Sequence, residues 1–179
     1  MRRIVYLLLV FVCNAAASEF TAVMDLSYKP HLKVATLSNA IRDAINKRPS
    51  CAVELDVSFS ELGNEGMNTV LQSLQTKELY LSARMNRLTP EGVANMIKSI
   101  LGEDDVTESS HTPPFLLQSL DLGWNNLGPD QTGSKEFLTA LRRLIEDPEK
   151  CPRVLRLCNC GLGPAACRAI GKVRPVKYN

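Results

Sequence analysis

The stretch LQSLDLGWNNLGP, Leu117 to Pro129, fills the template L-x-x-L-x-L-x-x-N-x-L with Leu117, Leu120, Leu122, Asn125 and Leu127. No single helix or strand requires that spacing. The apolar period is two at Leu120 and Leu122, breaks at an asparagine, and resumes at Leu127. Recurrence of such a unit decides a fold more firmly than any local propensity. CPRVLRLCNCGLGP places Leu155, Leu157, Cys160 and Leu162 in the same frame, with Gly163-Pro164 where the first copy has Gly128-Pro129. VELDVSFSELGNEG supplies Leu55, Val57, Ser60 and Leu62, and LYLSARMNRLTPEG supplies Leu81, Ala83, Asn86 and Leu88. A degraded fifth copy, MDLSYKPHL, offers Met24, Leu26, Lys29 and Leu32, with one residue too many before the last leucine.

A helical pattern follows each copy. Ser38 to Lys47 puts Ile41 and Ile45 on one face, and Gly66 to Leu74 carries Met67, Val70, Leu71 and Leu74. Pro90 to Leu101 has Thr89 as its cap and proline at its first position, then aligns Val93, Met96, Ile97 and Leu101. Ser134 to Glu146 carries Phe137, Leu138, Leu141 and Leu144, and Pro164 to Gly171 carries Ala166, Ala169 and Ile170. The spacing is 26 residues from Leu62 to Leu88, 39 to Leu127 and 35 to Leu162. The first is an ordinary leucine-rich period of about 20–29 residues, and the others are that period plus insertions. The insertions are Gly102 to Pro114, polar and acidic, and the shorter Glu146 to Pro152; both read as solvated loops.

The Leu117–Pro129 and Leu155–Pro164 copies, each with a helix beside it, resemble the ribonuclease-inhibitor-like class of leucine-rich repeats over about residues 20–171. The resemblance implies an α/β solenoid of four or five repeats, with parallel strands on a concave face and helices on a convex one. It also implies non-enzymatic binding of a protein partner, without cofactor or metal. Members of the class bind ribonucleases, small GTPases, actin or receptor ligands, so a cytosolic regulator of a small GTPase is the alternative reading. The class tends to have more repeats and dedicated end caps. This chain therefore reads either as a fragment of a longer repeat protein or as one capped by Phe20–Tyr28 and Val173–Tyr178.

The N-terminus has a layout of its own. Arg2 and Arg3 precede an apolar run, Ile4 to Val12, and Ala15 and Ala17 stand at the −3 and −1 positions before Ser18. That is the pattern of a secretory signal peptide over residues 1–17, leaving a repeat domain over 18–179; the run is too short for the roughly 20 residues that span a bilayer. The other reading of the run is a strand or helix buried at the end of the domain. Among 21 basic and 19 acidic residues, Arg2 and Arg3 supply the whole net charge of +2, so the remaining body is neutral. A neutral body without a dense basic run offers no electrostatic footprint for nucleic acid or an anionic membrane. Beyond Cys13 the count of cysteines is odd: Cys51, Cys151, Cys158, Cys160 and Cys167. Export would favour a disulfide such as Cys151–Cys167, and a cytosolic chain would keep buried thiols. The four later cysteines lack paired C-x₂₋₄-C knuckles, which argues against structural zinc.

If the strand leucines point inward, the residues between them form outward columns. One column reads Asp25, Asp56, Ser82, Asp121, Arg156; the next Ser27, Ser58, Arg84, Gly123, Cys158; the third Tyr28, Phe59, Met85, Trp124, Asn159. Four large aromatic or Met side chains in register, one per strand at about 5 Å, have the composition of a protein-binding hot spot. The expected contact residues are Tyr28, Phe59, Met85 and Trp124, with Arg84, Asp121 and Arg156 steering the partner. Catalysis has little to draw on. His31 and His111 have no nucleophile at a readable spacing, no Gly-rich phosphate loop follows a strand, and Asp104-Asp105 lies in the polar insertion.

Overall fold

The computed structural model of the chain describes residues 8–14, 19–30, 33–46, 52–74, 76–103, 115–129 and 133–171. Within them strand and helix alternate. The order is β1 (Leu8–Asn14), β2 (Glu19–Asp25), α1 (Val34–Asn46), β3 (Ala52–Asp56), α2 (Gly63–Gln72), β4 (Glu78–Ser82), α3 (Pro90–Leu101), β5 (Leu116–Asp121), α4 (Ser134–Glu146), β6 (Val154–Arg156) and α5 (Pro164–Gly171). The six strands make one open sheet in sequence order, β1 antiparallel to β2 and the other five mutually parallel. The helices pack neighbour on neighbour, α1 on α2 through to α4 on α5. Each unit therefore borrows its core from the units beside it, as stacked repeats do.

Alternation builds the buried face. In β3, Val53 and Leu55 are fully buried while Glu54 between them is exposed, and β4 repeats this with Leu79, Tyr80 and Leu81. Leu120 and Leu122 of the next unit are equally buried. The two-residue gap between Leu117 and Leu120 becomes an irregularity in pairing. Leu79 faces Leu117 but Tyr80 faces Ser119, so Gln118 is an extra residue that lets the inward leucines stay in line. From the other side, the helices contribute Ile41, Val70, Ile97, Phe137 and Leu141, all buried.

Local signals set some helix ends and tertiary bonds set others. Thr89 accepts the Gly92 N–H at 3.2 Å and Pro90 opens α3, which closes at Gly102 with φ 74°. α2 begins at Gly63, three residues before its apolar pattern, where the Gly63 N–H is taken by the Asn86 carbonyl of the next unit. Gly133 opens α4 with φ 83°, and a Cβ there would lie 2.8 Å from the Glu91 backbone, so glycine is required twice over.

One directional set of bonds ties the units together. After each strand, N–H groups donate to carbonyls of the following unit: Leu26 to Asp56 and Tyr28 to Ser58, then Val57 to Ser82 and Phe59 to Arg84. The same pairs recur as Ala83 to Asp121, Met85 to Gly123, Leu122 to Arg156 and Trp124 to Cys158. The residue at the template's asparagine position reaches back. The Asn125 amide oxygen accepts from the Asn86 and Leu88 N–H groups at 2.9 and 3.1 Å, and its nitrogen donates to the Ala83 and Leu122 carbonyls. Asn86 does the same for Ser60, Leu62 and Val57. Ser60 donates to Leu26, and Cys160 donates through sulfur to Leu122 at 3.1 Å. Buried backbone groups that would otherwise be orphaned are thereby satisfied.

Leu8–Asn14, inside the apolar N-terminal segment, pairs with β2 over Leu8↔Asp25 to Asn14↔Glu19. In this structure that part of the run is a strand at the edge of the sheet. Val173–Tyr178, expected as a cap, lies outside the described residues. No helix among the described residues is long and apolar enough to cross a membrane.

Candidate functional site

The turns that follow β2 to β6 hold the third column in one unusual backbone state. Tyr28, Phe59, Met85, Trp124 and Asn159 have φ values between 49° and 62°. That left-handed region suits glycine and asparagine and strains bulky residues by on the order of 1 kcal/mol each. Asn159 fits it easily; the other four do not. The side chains thrown out by these turns are accessible, Tyr28 at 67%, Met85 at 50% and Trp124 at 51% relative exposure. Phe59 is half-buried because its ring stacks on Tyr28, with centroids 4.5 Å apart and planes 4° from parallel. These residues therefore line the exposed rim of the turns rather than the edge of the core.

The acidic column has a job inside the turns. Asp25 accepts from the Ser27 N–H at 3.0 Å and its hydroxyl at 2.6 Å, Asp56 from the Ser58 N–H at 2.8 Å, and Asp121 from the Gly123 N–H at 2.9 Å. Bonds from Ser27 hold the Asp25 carboxyl below the usual carboxylate range. Each aspartate makes an Asx turn that aims the chain into its left-handed step. Asp121, only 9% exposed, holds the Gly123 N–H in the turn that precedes Trp124. The signal was present as D-x-S, D-x-S and D-x-G at those positions. A side chain at Gly123 is excluded, since its Cβ would meet the Cys158 sulfur at 2.8 Å and the Asp121 carboxylate at 3.0 Å.

Arg84 lies in the middle of the column between the aspartates and the aromatic rim. Ser58 and Ser82 join hydroxyls at 2.9 Å beside it, and Ser58 accepts the Arg84 backbone N–H. Its guanidinium Nε is buried without an acceptor, and it enters none of the ion pairs among the described residues. Arg156, at the C-terminal end of the face, is exposed. The pairs that do form across units, Arg87 with Glu61 and Arg143 with Glu103, both at 2.7 Å, are solvent-exposed and contribute little.

Three exposed apolar residues on the strand surface escaped the column reading: Tyr80, Leu116 and Val154. Tyr80 pairs in register with Ser119, and Ser119 with Val154, one step upstream of the aspartate column. Burial and the Glu78 carboxylate push the Tyr80 phenol up, while Arg153 opposes them. Alternation between Leu79 and Leu81 would have found this column. The L-x-x-L gap of the opening template hid it.

Cys160 is buried, and burial pushes its thiol up, so it stays a neutral donor in the ladder. Cys167 is an exposed free thiol, so the Cys151–Cys167 bridge expected of an exported chain is not formed here. Among the described residues no group of three His, Cys, Asp or Glu is placed to hold a metal ion. His31, His111 and Asp104-Asp105 lie outside the described residues.

No curated protein matches the chain. A family model described as Leucine Rich repeat matches residues 115–130, which take in β5, the Trp124 turn and the ladder residue Asn125. The chain thus carries a leucine-rich repeat at the strand and turn that present Trp124.

Proposed function

We propose that this chain is a non-enzymatic protein-recognition module, a short solenoid of the ribonuclease-inhibitor-like type. In this reading the strand side is concave and binds a protein partner through the rim of Tyr28, Phe59, Met85 and Trp124. The observation that carries it is the backbone under those residues. Four successive turns hold a bulky side chain, exposed at Tyr28, Met85 and Trp124 and half-buried at Phe59, in a conformation that the last turn fills with asparagine at little cost. Strain kept with exposure is expected where the side chain is used. Arg84, with an unpaired buried donor, supplies the polar contact that fixes register, and Arg156 extends the cationic side of the face. Tyr80 and Leu116 add apolar area next to it.

Export completes the proposal: residues 1–17 act as a signal peptide and the mature chain begins at Ser18. The charged start, apolar run and Ala15-x-Ala17 support it. Intact mass of protein from medium and lysate of eukaryotic cells tests it, and an uncleaved, purely intracellular species would overturn it.

The site itself is tested by opposite signs. Trp124→Asn should hold or raise stability, by up to about 1 kcal/mol, because asparagine accepts the left-handed turn. It should also weaken capture of the partner by at least about tenfold, about 1.4 kcal/mol, in pull-down from the fluid or medium that meets the protein. Loss of stability with unchanged capture would return Trp124 to a packing role.

A further inference from the structure

Among the described residues, the β6–α5 unit lacks what every earlier unit receives. Leu26, Val57, Ala83 and Leu122 each donate to a carbonyl of the unit that follows, as do Tyr28, Phe59, Met85 and Trp124. Their counterparts in the last turn are Leu157 and Asn159, and among the described residues neither N–H has an acceptor. Beside them opens an apolar groove of about 490 Å³ lined by Leu157, Cys160, Leu162, Cys167 and Ile170. Leu155, Leu157 and Leu162 stay half-buried where their counterparts Leu120, Leu122 and Leu127 are fully buried. The charge is one-sided: Arg153, Arg156 and Arg168 stand in residues 151–171 with no acidic residue.

We propose that this edge binds an extended acidic segment of a partner protein, laid parallel to β6 as a seventh strand. The register follows from the junctions already in the molecule. Two carbonyls, two residues apart, take the Leu157 and Asn159 N–H groups, and alternate apolar side chains fill the groove. A carboxylate on the outward position beside Arg156 meets its charge, and Arg153 adds a second cation at the start of the strand. Main-chain pairing supplies affinity and the alternate side chains supply selectivity. This surface shares Arg156 with the face proposed above but none of its aromatic residues, so peptide binding is read apart from partner capture at Trp124.

The probe is a synthetic peptide of the chain's own residues 52–62, AVELDVSFSEL. Inside the protein its Asp56 and Ser58 carbonyls already accept from Leu26 and Tyr28 at 2.7 and 2.9 Å. In the same register on β6, Asp56 falls beside Arg156 and Leu55 beside Leu155. Full-length protein should bind the labelled peptide with micromolar affinity by anisotropy, and hydrogen exchange should show new protection at the Leu157, Asn159 and Leu162 amides. Arg153→Glu with Arg156→Glu should weaken binding by about tenfold, and a peptide with lysine for both Glu54 and Asp56 should restore it. Both arginines are exposed, and unchanged circular dichroism would show the double variant folded. Absence of binding, protection elsewhere, or indifference to charge reversal would each overturn the proposal. So would amides already protected in the unliganded chain, because the edge would then be covered by the protein itself or by a second copy.

Discussion

Leu120 and Leu155 are register partners on adjacent strands, yet Leu120 is fully buried and Leu155 is half-buried. The same contrast holds at the ladder. Asn125 accepts two N–H groups and donates to carbonyls of its own and the preceding unit, whereas Cys160 offers one polarizable sulfur in its place. Among the described residues the inner units are closed on both sides by neighbours and the β6–α5 unit on one side only. Sequence alone makes these units look equivalent; position in the stack makes them unequal, because burial and satisfaction come from the next unit along.

The largest test of that inequality is at the ladder. Asn125→Ala should strand the Asn86 and Leu88 N–H groups and cost about 3–5 kcal/mol, read from the urea midpoint. Cys160→Ala should cost about 1 kcal/mol, since the sulfur's contacts to the Leu122 and Cys158 carbonyls are weaker than those of an amide. Equal losses would end the idea that the last unit is looser. Next come the leucines: Leu120→Ala should cost about 3 kcal/mol and Leu155→Ala about 1 kcal/mol, because the half-exposed site leaves little cavity. A smaller effect sharpens the comparison within the inner units. Thr89→Ala removes the side-chain cap of α3 and should cost about 1 kcal/mol, with faster amide exchange in its first turn.

The smallest effect is one of pH. Burial raises the Cys160 thiol, so the folded state holds that proton longer than the unfolded chain does. The associated stability is complete below the unfolded thiol's pKa and is lost as pH rises through the folded one. Urea midpoints of the natural chain and Cys160→Ser should converge as pH is raised through the alkaline range. A constant gap would mean that the thiol does not titrate with folding.

Much of the fold was legible because its signals are local and repeated. Thr89-Pro90 and Pro164 mark helix starts, and the expected spans of α3, α4 and α5 coincide with those observed. The start of α2 was not legible, because the bond from Gly63 that sets it crosses to Asn86, in the next unit. The seven expected contact residues do fall on or under one face, but their roles divide. Asp121 was read as a steering charge and is engaged in the turn. The left-handed backbone beneath Tyr28, Phe59, Met85 and Trp124 could not be read from those residues, none of which favours it. Only Asn159, in the same column, carried the hint.

The one-way run of the junction bonds bears on how the molecule is made. Every turn N–H waits for a carbonyl encoded some thirty residues downstream, and every ladder side chain reaches back to a unit already synthesised. A ribosome thus delivers the parts in the order that finishes them: each new unit emerging from the exit tunnel completes its predecessor and arrives incomplete itself.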